Sequence, residues 1–456
     1  MADVPKPSFI RLEPFIHQVG GHSSMLCLDE ATVCKPLVKR ELQFYETLPE
    51  AVSKFTPHFY GVIQVNVQPE EEGYVTLTAN APKFYQPVST SPTRRRVRLR
   101  RTGSIEVSQD DHTLFEEDSL DGETQPNNTS LALNPWVLKC HRDHLSTIIN
   151  TCTTQNFILL ENVASQFTYP CILDLKMGTR QYGDADTLAK KQSKMVKVVS
   201  TTSAKLGVRV GGMQVYQTTT GRFLCRNKLY GRSLSVSGFT QALCKFLHNG
   251  KRLRIDVLAP LIKRLEELLS VLHRQEAVRF YTASLLLLYE GLDLSDNLER
   301  TETLEDKDNQ RKNSTGHFKF EEAIETKQSD NTAKISPGSS GNTTVSPAAQ
   351  DMESIVNAFE EERQRSERLR HRRSSSCVAL NDLLAGSSNL SVPSSPSPLQ
   401  STAPRTPTVD VRIIDFAHST HQGLADPVSY TGPDSGFIFG LENMISILKN
   451  IERDNG

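Results

Sequence analysis

The stretch that most constrains this chain runs from Pro170 to Gly178, P-C-I-L-D-L-K-M-G, with a lysine-rich segment behind it. Tyr169, Cys171, Ile172, Leu173 and Leu175 read as a short buried strand bounded by turn residues. Period-two alternation puts Asp174 and Lys176 on one face. Charges in a buried strand are costly unless they are paired or face a polar cavity. An isolated D-x-K is more often a structural ion pair at a sheet edge, but the next segment argues for a cleft. Leu188 to Val199 has helical spacing, with Leu188, Met195 and Val199 on one side and Lys190, Lys194 and Lys197 on the other, Lys191 beside them. Such a one-sided ammonium cluster suits a polyphosphorylated small molecule.

At 456 residues the length allows about three domains, but low-complexity segments reduce this to one two-lobed unit. Residues 1–81 are expected to form a small lobe and 134–290 the hinge, the charged strand and the ligand-binding region. Residues 409–456 supply a last strand and helix. Between them, 82–133 and the Ser/Pro-rich 291–408 read as two long disordered inserts. The first carries the run Arg94–Arg101, which fits a nuclear localisation signal, a polyanion-binding patch or a solvated loop. It lacks the interleaved aromatics of a nucleic-acid-binding surface. The second carries Arg372-Arg-Ser-Ser-Ser, which resembles a site for a basophilic protein kinase and would admit regulatory partners.

The net charge of −1 excludes no class of partner. The first 15 residues lack an apolar signal core, and Leu285–Tyr289, the longest apolar run, is far too short to span a bilayer. Eight scattered cysteines suit a reducing compartment, and the expected location is cytoplasmic and nuclear. Cys140, His141, His144 and Cys152 match no common zinc spacing. The H-R-D at 141–143 lacks the asparagine a catalytic loop requires, since position 148 is Ile148.

Further motifs follow in chain order. Gly20 and Gly21 mark a turn whose amides suit phosphate, or an ordinary hairpin. Lys35 sits on a short strand and Glu41 opens the next helix, the pairing by which protein kinases orient ATP phosphates. Asn156–Val163 reads as a buried strand running into a connector. Lys205–Tyr216 and Phe223–Arg232 read as a hairpin turning at Thr218–Gly221, with helices over Ser237–Leu247 and Leu258–Leu272. Val278–Glu290 reads as a strand paired with the one opening at Val409, so the long insert is an overgrown hairpin tip. That last strand ends in Ile414-Asp415-Phe416, which resembles the metal-binding D-F-G of protein kinases. Gly436–Ile451 closes the chain as an amphipathic helix.

Pro170, Asp174, Lys176 and Gly178 match P-x-x-x-D-x-K-x-G, and with them the chain resembles the inositol polyphosphate kinase family. The longer string LDLKMGTRQYGD and the opening LEPFIHQVGGHSSM are similar to its inositol hexakisphosphate kinase branch. The resemblance implies an α+β, two-lobed fold distantly similar to protein kinases. It also implies ATP and Mg²⁺ as cofactors, inositol hexakisphosphate or pentakisphosphate as acceptor, and the 5-position as the site of transfer. By that resemblance Asp174, Lys176 and Asp415 are catalytic, with Asp415 holding the metal. Lys35, Glu41, Glu161, Asn162, Val163, Asp174 and Ser284 attend ATP. Arg40, Lys176, Lys190, Lys191, Lys194, Lys197, Lys228 and His418 attend the inositol phosphate, and Gln214 is a further candidate contact. Inositol trisphosphate 3-kinases and multikinases share the nine-residue motif and remain rival readings, as does an inactive inositol-phosphate-binding scaffold.

Overall fold

The computed structural model describes residues 9–21, 23–85, 97–100, 105–107, 114–117, 134, 136–143, 154–292, 407–424 and 428–456. The long insert, with its serine cluster, lies outside the described residues, as do His144, Cys152 and most of the arginine run.

The first half of the chain builds β1 (Phe9–Pro14), β2 (Leu26–Cys27), β3 (Thr32–Pro36), α1 (Lys39–Glu46), α2 (Glu50–Ser53), β4 (Phe59–Pro69) and β5 (Tyr74–Asn80). Short strands β6 (Val97–Arg100), β7 (Ile105–Val107) and β8 (Leu114–Glu117) follow, then helix α3 (136–143) and β9 (Thr154–Glu161). The second half builds β10 (Pro170–Met177), α4 (Leu188–Val199), α5 (Thr202–Leu206), β11 (Val208–Gln217), β12 (Arg222–Arg226), α6 (Lys228–Ser233) and α7 (Val236–Phe246). It ends with α8 (Leu258–His273), β13 (Ser284–Glu290), β14 (Val409–Ile414) and α9 (Ser435–Asn455).

Two sheets result. The N-terminal sheet runs β1-β2-β3-β9-β4-β5-β6-β7, and β1 also pairs with β5. The C-terminal sheet runs β14-β13-β10-β11-β12-β8. The charged strand β10 therefore lies between β13 and β11, and its apolar residues Cys171, Ile172, Leu173 and Leu175 are all at most 3% exposed. Across this sheet Lys176 faces Ser284, and Ser284 faces Ile414. Register alone thus brings Asp415, the next residue after β14, alongside Lys176.

Four expectations change. Segment 82–133 is not wholly insert: β6 and β7 extend the first sheet, and β8 pairs in parallel with β12. Leu99 and Phe115 are the reason, being 3% and 0% exposed on those strands. Lys228 is no hairpin residue, because β12 stops at Arg226 and Asn227 caps α6 by accepting from the Leu229 amide. The strand expected over Val278–Glu290 starts only at Ser284, after a turn in which Thr282 takes φ +65°. On α4 the side expected to be apolar and packed is largely solvent-facing: Leu188 is 72% exposed and only Val198 is buried.

Candidate active site

One cavity of about 310 Å³ lies where the two sheets meet. Its apolar part is lined by Val19, Val33, Leu160, Val163, Ile172 and Leu288, and its polar part by Lys35, Asp174, Lys176, Arg209, Lys228 and Asp415. That division, an apolar slot running into convergent charge, is typical of small-molecule sites.

The charged residues form a chain. Lys35 on β3 donates to Glu41 of α1 at 2.7 Å and to Asp415 at 2.7 Å. Lys176 of β10 donates to the other Asp415 oxygen at 2.6 Å. Asp415 therefore bridges a lysine from each sheet. It also sits at φ +68°, a backbone state uncommon for non-glycine residues, though aspartate adopts it more readily than most. Burial alone would push its carboxyl up, but the Lys176 and Lys35 ammoniums hold it well below the usual carboxylate range. Burial likewise opposes charge on Lys35, and Asp415 and Glu41 more than offset it, so that lysine is held protonated. Glu41 is fully buried, and its Oε1 also accepts the Phe416 amide at 3.0 Å, which anchors α1 to the loop carrying Asp415.

Asp174 is 2% exposed, and its Oδ1 finds no hydrogen-bond partner among the described residues. Burial raises its carboxyl above the ordinary range; Lys176 opposes this and Asp415 adds to it. The glycine turn lies directly on it. A Cβ at Gly20 would fall 1.8 Å from Asp174 Oδ2, so only glycine permits this approach.

The remaining predicted nucleotide residues divide by role. Glu161 and Val163 line the apolar slot at the end of β9. Asn162 lines the same cavity, and its side chain donates to the Glu30 carbonyl at 2.7 Å and accepts the Ala164 amide at 3.1 Å, which sets the path of the connector. The Glu161 carboxylate takes a two-pronged pair from Arg412 at 3.1 and 3.2 Å. Ser284 is fully buried in register with Lys176 and lies outside the cavity lining.

The predicted substrate residues fall into two groups. Lys176 and Lys228 line the cavity. Lys194 and His418 meet instead over the turn after β10, where Lys194 pairs with Asp186 at 2.7 Å and approaches His418 Nε2 at 3.3 Å. Lys191 donates to the Asp184 carbonyl at 3.0 Å, and Arg40 donates to the Ser419 carbonyl at 3.0 Å beside His418. Lys190 is exposed and Lys197 half-buried on α4. Gln214 is fully buried and donates to His17 and to the Pro170 carbonyl, a structural role.

Two cations escaped the sequence reading. Arg209 on β11 and Arg232 on α6 line the same cavity as Lys228, and an N–H of each is buried without a partner among the described residues. Burial, with Arg232 nearby, pushes Arg209 down to about 10. Burial and Arg232 lower Lys228 as well. The only signal for Arg209 was its place in the alternating run from Val208, where an inward arginine needs an anion.

Asp415 suits a magnesium ion, which takes hard oxygen ligands from one or two carboxylates and from substrate phosphates. Among the described residues no group of three acidic, histidine or cysteine side chains could hold an ion unaided. The single Asp415 carboxylate is a donor of the kind Mg²⁺ takes together with substrate phosphates. His141, from the discounted zinc cluster, is buried against the Ser24 hydroxyl at 2.6 Å.

A strand lysine bound to a helix glutamate, an aspartate bridging two lysines and a cation-lined recess beside an apolar slot together define a kinase site. The comparisons with known proteins carry this further. The inositol polyphosphate kinase family model matches residues 157–449. Human inositol hexakisphosphate kinase 1 is 37% identical over 98% of this chain and 95% of its own length. Human inositol hexakisphosphate kinase 3 is 36% identical over 97% of this chain and 96% of its own. Among solved structures, inositol phosphate multikinase from S. cerevisiae, in complex with ADP and Mn²⁺, covers 65% of this chain and 84% of its own at 19% identity, with a TM-score of 0.37. The chain belongs to the inositol polyphosphate kinase family.

Proposed function

We propose that this protein transfers the γ-phosphoryl group of ATP to a phosphate of inositol hexakisphosphate, forming a diphosphoinositol pentakisphosphate, with transfer at the 5-position and inositol pentakisphosphate as a second acceptor. The observation that carries the reading is the Lys35–Asp415–Lys176 bridge across one cavity. It supports a site in which donor and acceptor phosphates meet between two ammonium groups. Near full-length similarity to proteins named inositol hexakisphosphate kinases supports the choice of acceptor.

The acceptor phosphate is already anionic, so the site has little need of a strong base and works by positioning and charge neutralisation. Lys35, oriented by Glu41, serves the donor phosphates. Asp415 is the residue to hold Mg²⁺, which when bound neutralises charge on the nucleotide phosphates. Lys176, freed from Asp415 as ligands arrive, bridges donor and acceptor. Arg209, Arg232 and Lys228 neutralise the other acceptor phosphates. The apolar slot beside Glu161 and Val163 takes the adenine, and Asp174 under the glycine turn orients the nucleotide or the reacting centre. Purified protein with radiolabelled ATP, assayed against inositol tris-, pentakis- and hexakisphosphate, tests this. Label should enter a diphosphate product only with the last two, and transfer confined to a free hydroxyl of the trisphosphate would overturn the reading. A further proposal, cytoplasmic and nuclear residence with regulation through the inserts, has the arginine run and the serine cluster as its support; mutating the run should empty the nucleus.

A further inference from the structure

The turn after β10 is built more elaborately than a connection requires. Arg180 donates to the hydroxyls of Tyr281 and Tyr430 at 3.0 and 3.1 Å, pairs with Asp184, and stacks 4.0 Å from the Tyr281 ring. This pins the turn to the loop before β13 and the loop before α9. Within the turn the Gly183 amide donates to Asp186 Oδ2 at 2.9 Å. The same oxygen takes Lys194 at 2.7 Å and faces His418 Nδ1 at 3.7 Å. A Cβ at Gly183 would lie 2.8 Å from that Nδ1, so the imidazole occupies a seat only glycine leaves open.

The arrangement decides where the His418 proton sits. An ammonium has donors only, so the 3.3 Å contact from Lys194 requires a lone pair on Nε2. The ring proton is then on Nδ1, toward the Asp186 carboxylate. Among the described residues the charged groups that act most on the ring are Lys194 and Lys190 from α4, Asp186 from the turn and Arg40 from α1. Burial first, then Lys194, holds the imidazole below its ordinary range, and Asp186 only partly offsets them. The free protein at neutral pH therefore presents an uncharged ring.

We propose that Asp186 is a positioning residue that fixes His418 as the Nδ1–H tautomer, and that His418 takes up a proton on Nε2 when a phosphate of the inositol polyphosphate settles against it and Lys194. The proton comes from solvent, and the new Nε2–H donates to a phosphate oxygen while Lys194 turns its donors to the same group. This rests on the hexakisphosphate reading above. The sign is fixed: a ring neutral in the free state and cationic in the complex makes affinity fall as pH rises through the interval between the two titrations.

Calorimetric titration of the full chain with inositol hexakisphosphate at about pH 7, in buffers of different ionisation enthalpy, counts the protons taken up. Wild type should take up as much as about one proton more than His418→Gln, whose amide can still donate but does not titrate; the ligand's own titration contributes to both. Equal counts overturn the inference and leave the hexakisphosphate reading standing, whereas no binding by wild type overturns both. Independently, ¹⁵N imidazole spectra of the free wild type should show His418 as Nδ1–H. Asp186→Asn should lose that preference, and an unchanged tautomer in that variant removes the role assigned to Asp186.

Discussion

Lys176 and Asp174 sit two residues apart on one strand, yet substitution should separate chemistry from stability at each in opposite ways. Lys176 is partly exposed, and its removal leaves Asp415 still paired with Lys35. Lys176→Ala should therefore melt within a few degrees of wild type while turnover falls at least about 10²-fold, the usual scale for losing one preorganised charge contact. Near-normal phosphorylation by that variant would refute its role. Asp174 is the reverse case. Its folded-state titration lies above the unfolded value because burial penalises the anion. Ionised Asp174 thus costs stability at neutral pH, and the cost fades as pH falls toward the unfolded value of about 3.9. Asp174→Asn should raise the melting temperature at neutral pH, lose that gain near about pH 4, and still depress activity. A destabilised Asn variant at neutral pH would contradict the assignment. Asp174 and Lys176 were legible in the sequence because charge within a buried strand is rarely tolerated unless it faces a polar cavity or a partner, whereas Asp415 was read from the likeness of Ile414-Asp415-Phe416 to the D-F-G element. Asn162 lines the cavity while its side chain bonds the Glu30 and Ala164 backbone, and Ser284 is buried beside Asp174 outside the lining, so for small polar residues the place was legible and the contact was not.

Between β9 and β14 the Arg412 guanidinium acts as a strut. It holds Glu161 of the cavity lining with two bonds, the Thr56 carbonyl at 2.9 Å and Asp410 at 2.7 Å. Asp415 follows directly after the end of the same strand. Arg412→Ala should cost about 1.5–3 kcal/mol in denaturant unfolding, since it removes the charged bonds to Glu161 and to the 5% exposed Asp410, which keeps Gln166 at 3.2 Å and Arg264 at 3.6 Å. It should also raise the KM for ATP by loosening the slot relative to Asp415. Arg412→Lys should recover little of either, because an ammonium cannot reproduce the planar fork; full recovery would mean that charge alone matters. Most elements that locate the site followed from periodicity: β10, α4 and α8 fall where hydrophobic spacing put them, and β13 pairs with β14 as expected although it starts only at Ser284. Periodicity failed where tertiary packing overrode it. Lys228 starts a helix because Asn227 caps it, a local hydrogen bond that competes with strand pairing. The apolar side of α4 has the right spacing, but the packed side is the one that carries Lys191 and Lys194 to the turn after β10.

The molecule as a whole holds several cations around one cavity, and without ligand they repel each other. Burial and mutual repulsion push Arg209 down to about 10 and lower Lys228, with Arg232 contributing to both. Such a site should be stabilised by any anion dense enough to satisfy all of it, and by inositol hexakisphosphate more than by ATP alone. A ligand at 100 times its Kd adds about 2.7 kcal/mol to folding stability, a few degrees for a chain of this size. Surface charge contributes to that shift and is screened by salt, whereas the buried arginine contacts are screened much less. The hexakisphosphate-induced rise in melting temperature should therefore shrink, and not vanish, between low and high ionic strength. Arg209→Met separates the two parts. With the buried charge gone, the free protein should melt higher than wild type, because an arginine held without enough partners costs stability that an apolar side chain of similar length does not. The same variant should lose most of the ligand-induced shift that persists at high salt. Thermal unfolding of both proteins, with and without inositol hexakisphosphate at two ionic strengths, supplies all the comparisons. If Arg209→Met melts lower when free, or keeps the full high-salt shift, then Arg209 is satisfied by the fold and the recess is not built around a polyanion.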